Sequence, residues 1–173
     1  MKKRICFLLA ALLLAVFAAS AEQAAPLTEE DFVFVYGETE VRFGDSPAAL
    51  LAAMEVHDGA PVETDEADSC LYDTKDYEYS GLEITVGSCH PHGGPDEVIN
   101  AVIVWDGEWK TARGVGIGDT AEAVAAAYGE GFAEADTLVY ALGDRYLTPT
   151  LVFQLDMETG EVISFCLLAC FGE

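Results

Sequence analysis

The chain has 173 residues, of which 31 are acidic and 8 are basic, so its formal net charge at pH 7 is −23. A surface this negative repels phosphate backbones and anionic lipid headgroups, which excludes binding to nucleic acids and to membrane surfaces. The length suits one domain or two half-size units that share a core, and it is sufficient for folding without disulfides.

Residues 1–21 predict a secretory signal peptide. Basic residues at 2–4 precede an apolar run that ends in the small-x-small motif Ala19-Ser20-Ala21, which is the pattern that signal peptidase cleaves. The run from Ile5 to Ala21 is shorter than the roughly 20 residues of a spanning helix, so a membrane anchor is the weaker alternative. We expect a secreted protein in which residues 22–31 form an N-terminal linker.

Acidic residues greatly outnumber basic residues in the chain after residue 21. Ten acids lie between Glu55 and Glu83 against one base, Lys75. We interpret this stretch as a solvated loop and strand face. Such acidity permits basic partners or divalent cations but does not by itself indicate them.

Four cysteines follow the signal segment and are disulfide candidates: Cys70, Cys89, Cys166 and Cys170. An even number in an exported chain favours disulfide formation. If residues 160–170 form a strand, Cys166 and Cys170 lie about 13 Å apart along it, which is too far for a direct bond. A bond between Cys70 and Cys89, or bonds from each to the C-terminal pair, remain open, as does a buried free thiol at Cys166.

The stretch TEVRFGDSPAALLAAM predicts a strand, a Gly-Asp turn and a short helix. Ser46 is a helix N-cap candidate, and Pro47 occupies the first helical position, where its missing N–H has no cost. Leu50 and Met54 lie on one face of this helix. Asp58-Gly59 ends it.

Strand-like runs and one Pro/Gly-rich loop follow this first helix. The runs SCLYD, DYEYS, LEITVG and EVINAVIV are rich in aromatic and β-branched residues and are bounded by turn residues. The last of them covers residues 97–104 and follows the loop CHPHGGPD. We therefore predict an antiparallel meander.

The stretch ARGVGIGDTAEAVAAAYG predicts the same order of elements again. Thr120, or alternatively Asp119, caps the helix N-terminus. Val124 and Tyr128 share one helix face, and Gly129 ends the helix. The strand-like runs TLVYAL, RYLTPTLVFQL and EVISFCLL follow.

The repeated order predicts an internal duplication with units at 32–108 and 109–173. The run at 161–168 matches the run at 97–104. We predict an α+β fold in which each unit has a short helix and a three- to four-stranded antiparallel meander. The two units would form one curved sheet with the helices on one face.

The runs VINAVIVW and VISFCLLAC are apolar at nearly every position, which is typical of strands covered on both sides. Either the units pack around one core, or an uncovered sheet face binds a partner. Aromatic residues near the strand ends are the candidates for such an interface. They are Tyr72, Tyr77, Tyr79, Trp105, Trp109 and Tyr146.

Two motifs carry a resemblance to known families. The pattern (V/I)xxGD(S/T)xxxV…YG at Val115–Gly129 and the pattern SCxxx…DxxYxYSGxEI at Ser69–Ile84 resemble exported tandem-repeat proteins of Gram-positive bacteria that have no assigned activity. The unit is also similar to the repeat of the β-lactamase inhibitory protein and to outer-membrane assembly lipoproteins of the SmpA/OmlA (BamE) type. The resemblance covers roughly residues 32–170. It implies a module whose sheet face binds another protein, but no inhibitory residue matches, so β-lactamase is not the predicted target.

The stretch SCHPHGGPD is the one candidate for metal binding. His90 and His92 are two positions apart, so an extended backbone directs both side chains to the same side. Together with Cys89 or Asp96 they could bind zinc or copper. The alternative is a hairpin loop with two exposed histidines.

Hydrolase and dinucleotide-binding signatures are absent from the sequence after the signal segment. We therefore predict a secreted, non-enzymatic protein without a cofactor that binds an extracellular or cell-envelope protein through its sheet face. The alternative function is extracellular zinc or copper binding by the Cys-His-Pro-His loop.

Overall fold

Two α-helices and eleven strands form the part of the chain that the computed structural model describes, namely residues 24–42, 44–68, 72–89, 97–144 and 148–168. The helices are α1 (Pro47–Asp58) and α2 (Ala121–Tyr128). The strands β1 to β11, in chain order, are Val33–Tyr36, Thr39–Arg42, Glu63–Asp68, Tyr72–Tyr79, Leu82–Cys89, Val98–Val104, Lys110–Thr111, Phe132–Glu134, Thr137–Ala141, Thr150–Leu155 and Val162–Leu168.

The strands form two antiparallel sheets. A small sheet has the order β2-β1-β7, and a large sheet of eight strands has the order β3-β4-β5-β6-β11-β10-β9-β8. Every strand pairing in both sheets is antiparallel. The predicted α+β class with antiparallel meanders is therefore confirmed.

Local signals account for both helices. The Thr120 hydroxyl accepts a hydrogen bond from the Ala123 N–H at 3.3 Å, which confirms Thr120 as the cap of α2. Ser46 occupies the N-cap position of α1 without a side-chain capping bond. Gly59 and Gly129 end the helices at φ of 81° and 83°, a left-handed region that glycine enters at little cost.

Each helix is preceded by a Gly-Asp turn that is bound to the large sheet. In the turn at 44–45, the glycine N–H donates to the Ile99 carbonyl at 3.2 Å, and the Ile99 N–H donates to the aspartate carbonyl at 3.0 Å. In the turn at 118–119, the same two bonds are made with Val162, at 2.9 and 2.8 Å. These bonds position α1 beside β6 and α2 beside β11.

One hydrophobic cluster fills the space between the large sheet, the helices and the small sheet. Met54 of α1 and Val124 of α2 are 1% and 0% exposed in this cluster. Phe34 of the small sheet meets Phe165 of the large sheet edge-on, with ring centroids 5.0 Å apart. Burial of these apolar side chains is the main stabilising contribution to the fold.

Arg113 attaches the N-terminal segment to the end of α2. Its guanidinium makes a double ion pair with Asp31, at 2.6 and 2.7 Å, and donates to the carbonyls of Ala25, Pro26 and Ala127. All five N–H donors of the arginine are thereby used. The bond to Arg113 is the main cause of a lowered pKa at Asp31, since it stabilises the charged carboxylate.

In the described ranges, neither helix approaches the length or the apolar character that a bilayer crossing requires.

The Asp31–Arg113 pair yields a stability prediction. Its side chains are only 9% and 16% exposed, so Asp31→Asn should lower the free energy of unfolding at pH 7 by about 2–3 kcal/mol. Because the folded-state pKa of Asp31 lies below its usual value of 3.8, the pair stabilises the wild type above that pH. The stabilisation is lost as the pH falls through the folded-state pKa.

Urea unfolding of both proteins from pH 7 to pH 2 measures this effect. The difference between wild type and variant should shrink as the pH falls below 3.8, the usual value for Asp31. A difference that stayed constant down to pH 2 would show that the carboxylate charge does not contribute.

Candidate binding face of the large sheet

The register of the large sheet separates its residues into two faces. Residues directly opposite each other in an antiparallel ladder have their side chains on the same face. One face contributes Leu82, Val104, Phe153 and Phe165 to the hydrophobic cluster. We call the other side of the large sheet the open face.

Three rows of paired residues lie on the open face, and the third and shortest, from β11 to β8, consists of Ser164, Gln154, Thr137 and Glu134. From β4 to β8, the first row consists of Glu78, Glu83, Ile103, Cys166, Val152, Val139 and Phe132. From β4 to β9, the second row consists of Asp76, Thr85, Ala101, Leu168, Thr150 and Ala141.

The first row of the open face is apolar from β6 to β8. Ile103, Val152 and Val139 are half-buried, and Phe132 at the β8 edge is 55% exposed. The runs at 97–104 and 161–168 are apolar at nearly every position, but only one of their two faces meets the core. Their residues therefore alternate between full and partial burial, except around Asn100, which is buried, and Ile163, which is 43% exposed.

The β4–β5 end of the open face is acidic. Glu78, Glu83 and Asp76 are half-buried there. In the described strands no lysine or arginine occupies an open-face position, since Lys75 pairs with Val86 on the core side. The first row thus changes from carboxylates on β4 and β5 to apolar side chains from β6 to β8, where the polar third row borders it.

Asp76 carries an unusual oxygen. Its Oδ1 is shielded from solvent and has no hydrogen-bond partner among the described residues. A shielded carboxylate oxygen without a donor is costly, and in a binding surface a basic group of a ligand can supply that donor.

The sequence-predicted aromatic residues lie in different environments. Tyr79 and Trp109 are each 3% exposed and belong to the core, where the Trp109 ring stacks on Tyr36 at 4.7 Å. The half-buried Tyr77 packs against the same core, with the Lys75 ammonium 5.5 Å from its ring centre. Burial removes Tyr79 and Trp109 from any exposed surface.

The remaining aromatic candidates are accessible or undescribed. Trp105 follows the end of β6, two positions beyond Ile103, and is 39% exposed. Tyr72 pairs with Cys89 at the backbone level, which gives it an open-face register position. Tyr146 lies outside the described residues.

The predicted metal site lies almost wholly outside the described residues. This holds for His90, His92 and Asp96, whereas Cys89 is described only as the backbone end of β5. In the described ranges no group of three or more histidine, cysteine, aspartate or glutamate side chains is arranged to bind a metal ion.

Cys166 is a free thiol in the middle of the open face. Burial raises its pKa to about 11, so the thiol is protonated at neutral pH. The prediction that Cys166 forms a disulfide is not supported, and its alternative as a small apolar residue fits its surroundings between Ile103 and Val152. Cys70 and Cys170 lie outside the described residues.

Comparisons with known proteins give little additional information. No protein-family model matches the chain, and no curated protein matches it. A crystal structure of a cysteine-rich secretory protein from Staphylococcus aureus matches with a TM-score of 0.38 and 11% identity. The match covers 73% of this chain but only 44% of that chain, and a similarity this low gives no information about function.

Sequence reasoning missed the residues that make up the open face. It selected aromatic residues, whereas the apolar part of the first row consists mainly of aliphatic ones such as Ile103, Val152 and Val139. Alternating residues along a single strand can be read from the sequence and share one face. The register between strands, which joins these residues into one row, cannot be read from it.

The pKa of Cys166 predicts slow alkylation. Relative to an ordinary value of 9.0, a pKa of about 11 lowers the thiolate fraction at pH 8 about a hundredfold. Iodoacetamide labelling followed by peptide mass spectrometry should therefore show about a hundredfold slower reaction at Cys166 in the folded protein than in urea. Equal rates in the two states would contradict burial of this thiol.

Proposed function

We propose that this protein is an exported, non-enzymatic binding module that recognises another extracellular or cell-envelope protein through its open face. The observation that carries the proposal is the row of partly or fully accessible apolar side chains from Ile103 to Phe132 on the side of the sheet away from the core. A contiguous apolar surface bordered by polar residues is typical of a protein-binding site. The leader-like residues 1–21 support export.

Several features favour a protein as the ligand of this face. The net charge of −23 opposes nucleic acid and anionic lipid. The open face extends over seven strands, or about 29 Å at about 4.8 Å per strand, which is the scale of a protein contact rather than of a small-molecule pocket.

We further propose that the large sheet arose by duplication of one unit. The two Gly-Asp turns support this because each makes the same pair of backbone bonds, one to Ile99 and the other to Val162. The strand order supports it as well, since β3-β4-β5-β6 and β11-β10-β9-β8 are two four-stranded meanders that meet at β6 and β11.

The strand irregularities support the same equivalence. The ladder between β5 and β6 shifts so that Asn100 has no direct partner, and the ladder between β10 and β11 shifts at Ile163. Each extra residue comes directly after the residue that binds its Gly-Asp turn. A β-bulge at the same place in two meanders is a specific feature of the backbone rather than a general property of sheets.

If the two turns are equivalent, the alignment of the two strands shifts by one residue from the alignment that the sequence suggests. Aligning the runs at 97–104 and 161–168 pairs Val98 with Val162, whereas the turn bonds make Ile99 the counterpart of Val162. The shifted alignment also matches the buried apolar positions, which are 99, 102 and 104 in β6 and 162, 165 and 167 in β11. The two extra residues differ, since Asn100 is buried and Ile163 is 43% exposed.

The two turns should respond equally to substitution. Gly44 and Gly118 have φ of +77° and +81°, and a Cβ added at either would meet nothing within 4 Å. Gly44→Ala and Gly118→Ala should therefore each cost only the backbone strain, about 1–2 kcal/mol of unfolding free energy in urea. Costs that differed by more than about 1 kcal/mol would contradict the equivalence of the turns.

The open-face proposal predicts a loss of partner capture on substitution. Val152→Asp places a charge in the apolar row, and Val139→Ser is a milder change in the same row. Both variants should capture fewer proteins from the extracellular and cell-envelope fractions of the producing organism, as quantified by mass spectrometry. Met157→Ser is the control, since Met157 is 87% exposed in a loop outside the sheet.

Thermal unfolding of each variant establishes that it is folded. Capture by folded Val152→Asp and Val139→Ser at the wild-type level would overturn the open face as the binding surface.

A further inference from the structure

A cavity of about 480 Å³ lies on the core side of the large sheet, away from the open face. It forms where the segment before β1, the end of β2 and the connection between β9 and β10 come together. Phe32 lines it and also belongs to the hydrophobic cluster. The volume is in the range of small-molecule sites, so the cavity suits a compact ligand.

Part of the cavity wall is apolar. Phe32, Leu142 and Pro149 are among the lining residues. Phe32 is only 4% exposed, whereas Leu142 is 39% exposed and would be covered by a bound molecule. Removal of this apolar surface from water favours a ligand with a large apolar group.

The charged groups of the cavity include both signs side by side. Arg42 and Glu30 line it together, and their ion pair at 2.7 Å places a guanidinium next to a carboxylate. Glu29 adds a second carboxylate, which makes no hydrogen bond or ion pair with another described residue. The cavity can therefore bind a cationic and an anionic group of one ligand at adjacent positions.

Arg42 retains hydrogen-bonding capacity for such a ligand. It donates one bond to Glu30 at 2.7 Å and one to Glu40 at 3.3 Å. Because a guanidinium has five N–H donors, three donors of Arg42 have no partner among the described residues. A ligand carboxylate can accept hydrogen bonds from these donors.

Ligands with a single kind of charge fit this cavity poorly. Two carboxylates pair with Arg42, and the net charge of the chain is −23, so a pure anion is repelled. A pure cation would bring its charge beside the guanidinium and leave the donors of Arg42 without an acceptor. A molecule with an ammonium and a carboxylate on the same carbon atom avoids both problems.

We propose that this cavity binds an α-amino acid with a large apolar side chain. The amino acid carboxylate accepts hydrogen bonds from Arg42, and its ammonium group lies beside Glu29 and Glu30. Its side chain packs against Phe32 and Leu142. The inference is independent of the proposed function, because no residue of the cavity belongs to a row of the open face.

Isothermal titration calorimetry of the purified protein tests this inference. The ligands are leucine, phenylalanine, glycine, N-acetylleucine, leucinamide and the dipeptide leucyl-leucine, each at concentrations up to about 10 mM. Leucine and phenylalanine should bind saturably with one site per chain. N-acetylleucine lacks the ammonium group and leucinamide lacks the carboxylate, so each should bind at least about tenfold more weakly than leucine. Glycine should be weakened similarly, because it lacks the apolar side chain.

Variants of the cavity test the assigned contacts. Arg42→Gln and Leu142→Ser should each weaken leucine binding about tenfold, and Arg42→Lys should have an intermediate effect because it keeps the charge but loses the planar fork. Lys75→Gln is the matched control, since the ion pair of Lys75 with Glu66 also measures 2.7 Å but lies outside the cavity. The control should bind leucine like the wild type, and thermal unfolding establishes that each variant is folded.

Three results would overturn the inference. They are the absence of saturable binding of leucine and phenylalanine, equal affinities for leucine and its two blocked derivatives, and equal affinities of folded Arg42→Gln and Lys75→Gln for leucine. Tighter binding of leucyl-leucine than of leucine would overturn a free amino acid as the ligand. None of these results affects the open face, which is tested separately by partner capture with Val152→Asp.

Discussion

Four residues of β6 pair with four residues of β11, and this one ladder joins two four-stranded meanders into a single eight-stranded sheet. Both strands also bind a Gly-Asp turn, so the position of each helix is set by the same two strands. The central ladder therefore fixes which side of the sheet receives the helices and the small sheet. The hydrophobic cluster forms on that side, and apolar residues of the opposite side remain partly accessible to solvent.

This arrangement explains why apolar residues occupy both sides of the central strands. On the core side, Val104 and Phe165 are paired and fully covered, whereas Ile103 and Cys166 pair on the other side and remain partly accessible. A sheet that only had to be stable in water would carry polar residues on the outer side. Apolar side chains on that side are therefore the feature on which we base the proposal of a protein-binding surface.

The elements and their order were predictable because the signals are local. Thr120 caps α2, and glycines end both helices where the sequence indicates. The choice of aromatic residues as interface candidates was less accurate, because Tyr79 and Trp109 are buried in the core. Large aromatic side chains suit cores and interfaces equally well, so residue type alone could not distinguish the two environments.

The sequence by itself determined the α+β class, the two Gly-Asp turns and the helices that follow them, since capping, helix propensity and turn chemistry act over a few residues. Only the tertiary structure decided which side chains share the open face. That choice depends on the register between β6 and β11, strands that are far apart in the chain, and a shift of one residue would exchange the two faces. Register is set by long-range packing of the whole core, which no local pattern contains.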